Sequence, residues 1–190
     1  MKNPKLFVVS APSGGGKTTI VKAILEHHPE FEFSVSATTR PKRANEEHGK
    51  DYFFLRKEEF ERLIQKGALV EHEQIYGNYY GTLKSEVDRA LTNGRCMVFD
   101  VDVKGGLSIK RLYGPESALI FIEPPSIAVL EQRLRDRKTE DERAFQKRMA
   151  RVATELEIGK QFDYRVVNDE LPRAIGEVEE IILKQLTQSP

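Results

Sequence analysis

The sequence predicts an α/β fold in which a mainly parallel sheet carries helices on both faces, interrupted by two polar insertions. Three observations carry that expectation. Short runs that are apolar throughout, such as Leu6-Phe7-Val8-Val9, Met97-Val98-Phe99 and Ala118 to Ile122, read as strands buried on both sides. Segments of helical spacing separate them, as connections between parallel strands require. Two stretches, near 32–84 and 126–158, break this alternation with a polar, charge-dense composition.

In chain order, Leu6 to Ser10 is the first strand, and Lys17 to His28 is a helix with Ile20, Val21, Ile24 and Leu25 on one side, stopped by Pro29. From Glu32 to Gly81 the texture changes. Ser, Thr and Arg come first, then Tyr52-Phe53-Phe54, a charged helix from about Lys57 to Lys66, strand-like pieces from Leu69 to Ile75, and a closing Gly77-Asn78-Tyr79-Tyr80-Gly81. Ser85 to Asn93 reads as a helix ended by Gly94, and Cys96 to Phe99 as a strand ending at Asp100. Leu107 to Tyr113 is a further helix, and Ala118 to Ile122 a strand before Pro124-Pro125. Ile127 to about Gly159 reads as one long helical region, Tyr164 to Val167 as the last strand, and Leu171 to Leu186 as a closing amphipathic helix.

Composition sets the outer bounds. A chain of 190 residues supports one well-buried core with inserted parts. Lys plus Arg equals Asp plus Glu, 30 against 30, so no global field draws the protein to nucleic acid or to a membrane surface. The start MKNPKLFVVSAPS mimics a signal peptide, but its apolar run is too short and glycines follow it, so a buried strand is the better reading. No run reaches membrane-spanning length. The single cysteine, Cys96, forms no internal disulfide and is expected as an inert buried thiol in a reducing compartment, the cytoplasm.

Between the first strand and the first helix lies Ala11-Pro12-Ser13-Gly14-Gly15-Gly16-Lys17-Thr18, which matches the phosphate-binding pattern G-x-x-x-x-G-K-[ST] except for Ala11 at the first glycine. Glycines let successive backbone N–H groups curl around an anion, and the helix that follows points its positive end at the same anion. Lys17 supplies a mobile charge for the β- and γ-phosphates, and the Thr18 hydroxyl faces Mg²⁺. This makes the fold a P-loop NTPase-type sheet with a nucleoside triphosphate as the expected ligand. An acidic residue belongs at the end of a neighbouring strand to complete the magnesium shell through water. Asp100 fits, with Asp102 facing the same way two residues on.

The acceptor is sought in basic clusters away from this loop. Ser34 to Arg43 interleaves hydroxyls with Arg40 and Arg43, a set suited to a phosphate monoester because arginine presents a planar fork to phosphate oxygens. Residues 128–151 hold eight basic against five acidic side chains; most form a solvated helix face, and a few are expected to close over the triphosphate. No catalytic base is evident. A phosphate acceptor, already ionised at neutral pH, needs none, whereas an alcohol acceptor would want an aspartate near its hydroxyl, a place that Asp100 or Asp102 could fill.

At this point the chain resembles guanylate kinases. The matching pieces are Ser10 to Lys17, Ser34 to Pro41, Gly49 to Phe54, Gly77 to Thr82, Phe99-Asp100-Val101-Asp102 and Val167-Asn168-Asp169, in family order over nearly the whole chain. The resemblance implies a core at about 1–33, 85–125 and 159–190, a small mixed α/β GMP-binding segment at about 34–84 and a helical lid at about 126–158. It implies that the acceptor is GMP, with dGMP beside it. By matching motif, Arg40, Arg43, Tyr52 and Tyr80 would hold the GMP phosphate, and Ser36, Glu71, Thr82 and Asp102 would face guanine. Arg137 and Arg148 would be the lid arginines that reach the transferring phosphoryl group with Lys17 and Arg43. Asn168 and Asp169 would lie beside the ATP adenine.

The chemistry of guanine agrees with Glu71: an ionised carboxylate accepts from N1–H and the 2-amino group together, whereas adenine turns a lone pair toward it. Tyr79 and Phe53 read as packing residues. Lys42 and Lys104 depart mildly from the family pattern. Two other readings stay open: a non-catalytic guanylate-kinase-like protein-binding module, and a ribose bisphosphate phosphokinase, which has no base to recognise. Neutral charge balance disfavours a nucleic-acid-dependent ATPase.

Overall fold

The computed structural model describes residues 5–75, 77–136 and 142–187. The chain runs β1 (Leu6–Ser10), α1 (Lys17–His27), β2 (Glu32–Phe33), β3 (Ala37–Thr38), β4 (Phe53–Phe54), α2 (Lys57–Gln65), β5 (Leu69–Ile75), β6 (Asn78–Leu83), α3 (Lys84–Thr92), β7 (Met97–Asp100), α4 (Val103–Tyr113), β8 (Ser117–Glu123), α5 (Ile127–Asp136), α6 (Glu142–Gly159), β9 (Tyr164–Val167) and α7 (Leu171–Thr187). Five strands form a parallel sheet in the order β2-β7-β1-β8-β9.

Side chains alternate across this sheet and bury both of its faces at the central strands, which is why β1 and most of β7 and β8 are apolar, whereas the edge strands β2 and β9 carry Glu32 and Arg165. Phe7, Val9, Ile120 and Ile122 meet Ile20 and Ile24 of α1 and Val178 and Ile182 of α7. Leu6, Val8, Phe99, Leu119 and Phe121 meet Val87 and Ala90 of α3 and Val103 and Ile109 of α4. Each such side chain contributes about 1.5–3 kcal/mol on burial. Helices α5 and α6 share a smaller core of Leu130, Leu134, Phe145 and Val152. Among the described residues no helix is long and apolar enough to cross a membrane.

The first insertion folds as a second, mixed sheet in the order β4-β3-β6-β5. Phe60 of α2 covers one face by stacking on Tyr79, with centroids 5.2 Å apart, and Phe53 meets the His48 ring edge-on, so both residues pack as expected. Two elements differ from the sequence reading. The closing Gly77–Gly81 stretch, to which no periodicity assigned an element, is largely strand, because β6 pairs with both β3 and β5. Helix α4 begins at Val103 rather than Leu107, because the Asp102 carboxylate caps it, accepting from Gly105 N at 2.7 Å, and so offsets two unfavourable glycines. The long helical region from Ile127 holds α5 and α6. Cys96 precedes β7 and is half-buried rather than fully buried.

Ser10 ends β1 fully buried, and its hydroxyl has no hydrogen-bond partner among the described residues. Burying an unpaired hydroxyl costs about 1–3 kcal/mol. Ser10→Ala is therefore expected to raise stability by about 1 kcal/mol. The readout is a higher urea midpoint at unchanged m-value; a lower midpoint would show that the hydroxyl is satisfied.

Candidate active site

Parallel pairing of β1 with β7 sets Val9 beside Asp100, so the glycine loop and the acidic strand end emerge at one sheet edge, where open α/β sheets bind ligands. Lys17 Nζ lies 2.6 Å from Asp100 Oδ1 and donates to Val101 O at 3.0 Å. The Thr18 hydroxyl donates to Asp100 Oδ2 at 3.1 Å. The loop explains its own composition. Gly16 has φ +92°, and a Cβ there would collide with the Asn168 side-chain amide. At Gly15 a Cβ would lie 2.8 Å from that of Ala11, so the bare Gly15 makes room for the methyl that replaces the usual first glycine.

Asn168 is buried and braces this loop, donating from Nδ2 to Gly15 O at 2.9 Å, while its own carbonyl accepts from Arg133 at 3.0 Å. Asp169 is exposed; it accepts from Glu170 N and from Arg173, each at 2.6 Å, and the backbone N–H holds its carboxyl below the usual range. Helix α6 rests on the other side of the loop. Arg148 donates to Ser13 Oγ at 3.1 Å, and Glu155 accepts from Ser13 N at 3.3 Å. Together, Ala11 to Thr19 with Asp102, Arg148, Arg151 and Glu155 enclose a cleft of about 380 Å³.

The second sheet brings another set together. Glu71 pairs across β5–β6 with Thr82, and continuing the β3–β6 register places Ser36 opposite Thr82, so three strands present these residues in one row. The Thr82 hydroxyl is buried and donates to Glu71 Oε1 at 2.7 Å. Burial pushes the Glu71 carboxyl above its ordinary range; the Thr82 bond opposes this and the Asp102 charge reinforces it. Asp102 Oδ1 and Glu71 Oε2 both lie 3.3 Å from where a Cβ on Gly105 would stand, so the bare Gly105 leaves room for both carboxylates on its side of α4.

At the outer end of the same sheet, Arg40 lies over the Tyr52 ring at 5.4 Å, with Tyr80 packed edge-on to Tyr52 at 6.1 Å. Glu46 grips Arg40 with two bonds of 3.0 and 2.7 Å and also accepts from Arg43 N at 2.8 Å. The Arg40 guanidinium holds the Glu46 carboxyl down to about 2. The Arg43 side chain is exposed at this end. Arg137 lies outside the described residues.

Three residues here escaped the sequence reading: Glu46, Arg151 and Glu155. Arg148, Arg151 and Glu155 are spaced three and then four apart, so one stripe of α6 faces the loop, and that period was available in the sequence. Glu46 sits in an irregular loop where no period exists to mark it.

Comparison with known proteins gives one consistent result. A family model described as guanylate kinase matches residues 3–185. Guanylate kinase from Chlorobium chlorochromatii is 47% identical over 179 residues, covering 94% of each chain. That from Bacteroides thetaiotaomicron is 43% identical over 185 residues, covering 97% of this chain and 91% of the relative. The crystal structure of guanylate kinase from Anaplasma phagocytophilum superposes with a TM-score of 0.78 at 27% identity, covering all of this chain and 89% of that one. Fold, loop and near full-length identity agree, and the chain belongs to the guanylate kinase family.

Proposed function

We infer that this chain transfers the γ-phosphoryl group of ATP to GMP, giving ADP and GDP, with ATP on the glycine loop and GMP on the second sheet. The observation that carries the acceptor is the buried Glu71–Thr82 pair beside Asp102, an array of oxygens that matches the adjacent donors of guanine. Arg40, Arg43, Tyr52 and Tyr80 bind the GMP phosphate, and Glu46 holds Arg40 and the Arg43 backbone in place for it. Ser36, Thr82 and Asp102 complete the contacts to the base.

Backbone N–H groups from Ala11 to Thr18 and the start of α1 cradle the ATP phosphates. Lys17 reaches the β- and γ-phosphates, and Arg148, approaching from α6, neutralises charge on the transferring group beside Arg43. Asn168 acts on ATP through the loop it braces, and Asp169 lies at the strand end where adenine would rest. The Thr18 hydroxyl and the Asp100 carboxylate, hard oxygen donors already in contact, suit Mg²⁺, a cation that keeps most of its waters. When bound it neutralises phosphate charge. An already ionised phosphate acceptor leaves the protein no proton to remove, so positioning and electrostatics carry the reaction.

The test is ADP release with Mg·ATP and GMP, AMP, CMP, UMP or no acceptor. Rapid release with GMP alone is the expected result. Folded protein that releases nothing with any nucleotide overturns the reading, and release with ribose 1,5-bisphosphate alone would favour a sugar-phosphate acceptor.

A further inference from the structure

Arg151 is absent from the roles assigned above, yet it is the side chain on which three parts of the molecule meet. It projects from α6, one turn beyond Arg148. Its guanidinium lies 3.5 Å from Glu155 on the same helix, donates to Glu73 of β5 at 3.5 Å, and stands 3.9 Å from Asp102 at the start of α4. Glu155 accepts from Ser13 of the glycine loop, and the Asp102 charge acts on Glu71 of the second sheet. The two carboxylates on its far side crowd each other: burial, the Asp102 charge and a bond to Asp102 all push the Glu73 carboxyl up, and Arg151 is the first of the cations that oppose this. One guanidinium therefore spans the donor cleft and the acceptor sheet.

We propose that Arg151 is a positioning residue that couples GMP binding to ATP binding, an inference that rests on the assignment of those two nucleotides to the two sites. Guanine that donates to Glu71 and Asp102 fixes β5 and the start of α4 relative to each other. Glu73 and Asp102 then present one fixed anionic pair to Arg151. Held there, α6 keeps Arg148 and Glu155 against Ser13, where the triphosphate binds. The effect is reciprocal, because ATP that settles α6 returns the same free energy to the GMP site. Each ion pair is about half exposed and worth little alone. Their effect lies in tying α6 to β5 and to the start of α4 at the point between the two sites.

The experiment measures the dissociation constant of GMP with and without a saturating non-hydrolysable ATP analogue. In the wild type GMP binds more tightly when the analogue is present. Arg151→Gln is expected to reduce that enhancement by about 2- to 10-fold, a loss over and above any change in the affinity of either nucleotide bound alone. Arg151→Lys restores part of the enhancement, since a point charge reaches one carboxylate but does not bridge both. Glu73→Gln produces a similar loss, and the double variant loses no more than either single one. An enhancement unchanged in Arg151→Gln and Glu73→Gln, or absent from the wild type, overturns the proposal. Wild-type protein that phosphorylates GMP while showing either of those results leaves the phosphotransferase reading standing, whereas failure to bind GMP at all overturns that reading first.

Discussion

Lys17→Ala is expected to slow phosphoryl transfer by about 10³-fold or more and to leave the fold intact. Lys17 is the cation the loop itself supplies, and nothing else in the loop replaces it. Its contacts with Asp100 and Val101 show where the ammonium is held, at the junction of β1 and β7. Removing it leaves Asp100 with the Thr18 hydroxyl and with water, a partly exposed position, so the stability cost is about 1 kcal/mol. The measurement pairs single-turnover rates with thermal unfolding. Wild-type turnover in the variant would remove Lys17, and with it the donor site, from the mechanism.

Glu71→Gln should cost GMP turnover almost as much. Two charge-assisted hydrogen bonds to guanine are worth about 1.5–3 kcal/mol each, so kcat/KM for GMP is expected to fall by about 10²- to 10⁴-fold. The preference for GMP over AMP should shrink with it, because AMP never gained from the carboxylate. Stability should move the other way. Glu71 has a folded-state pKa above its ordinary value, so its favourable contribution is complete below the unfolded pKa and is lost as pH rises through the raised one. At neutral pH the wild type carries that cost and glutamine does not, so the variant should melt no lower than the wild type.

The same shift predicts the pH dependence of binding. Guanine needs the ionised carboxylate, so GMP affinity should weaken as pH falls through the raised pKa, and binding in that range should release a proton. Calorimetry in buffers of different ionisation enthalpy reads that proton directly. The Gln variant should show a flatter profile, and equal pH dependence in both proteins would place the titrating group elsewhere.

What was legible in the sequence is what is written in local chemistry. Strands β1, β7 and β8 carry their burial in apolar runs, and α1 and α7 carry theirs in spacing. The glycine loop announces itself because bare backbone next to one lysine serves few purposes other than holding an anion. Asp100 was readable for a related reason: a carboxylate that ends an apolar strand of a parallel sheet has to emerge at the ligand edge. Residues 34–84 were recognisable as a different kind of segment, and the motifs within them named Arg40, Glu71, Tyr80 and Thr82.

Tertiary structure decided the rest, because the deciding contacts join residues that no local period connects. Strand β6 exists through its partners on both sides, against its own glycines. Ala11 fits because Gly15 faces it across the loop. Asn168 supports that loop from the far end of the chain. Register across three strands lines up Ser36, Thr82 and Glu71, and a turn of chain brings Glu46 onto Arg40. Arg151 is the extreme case. As a sequence it is one more basic residue on a charged helix with Glu155 one turn on, and only the tertiary placement of α6 brings Glu73 and Asp102 to it as well. Charge along a chain states which interactions are available; the fold selects among them, since attraction within a protein depends on distance and burial, and neither is a local property.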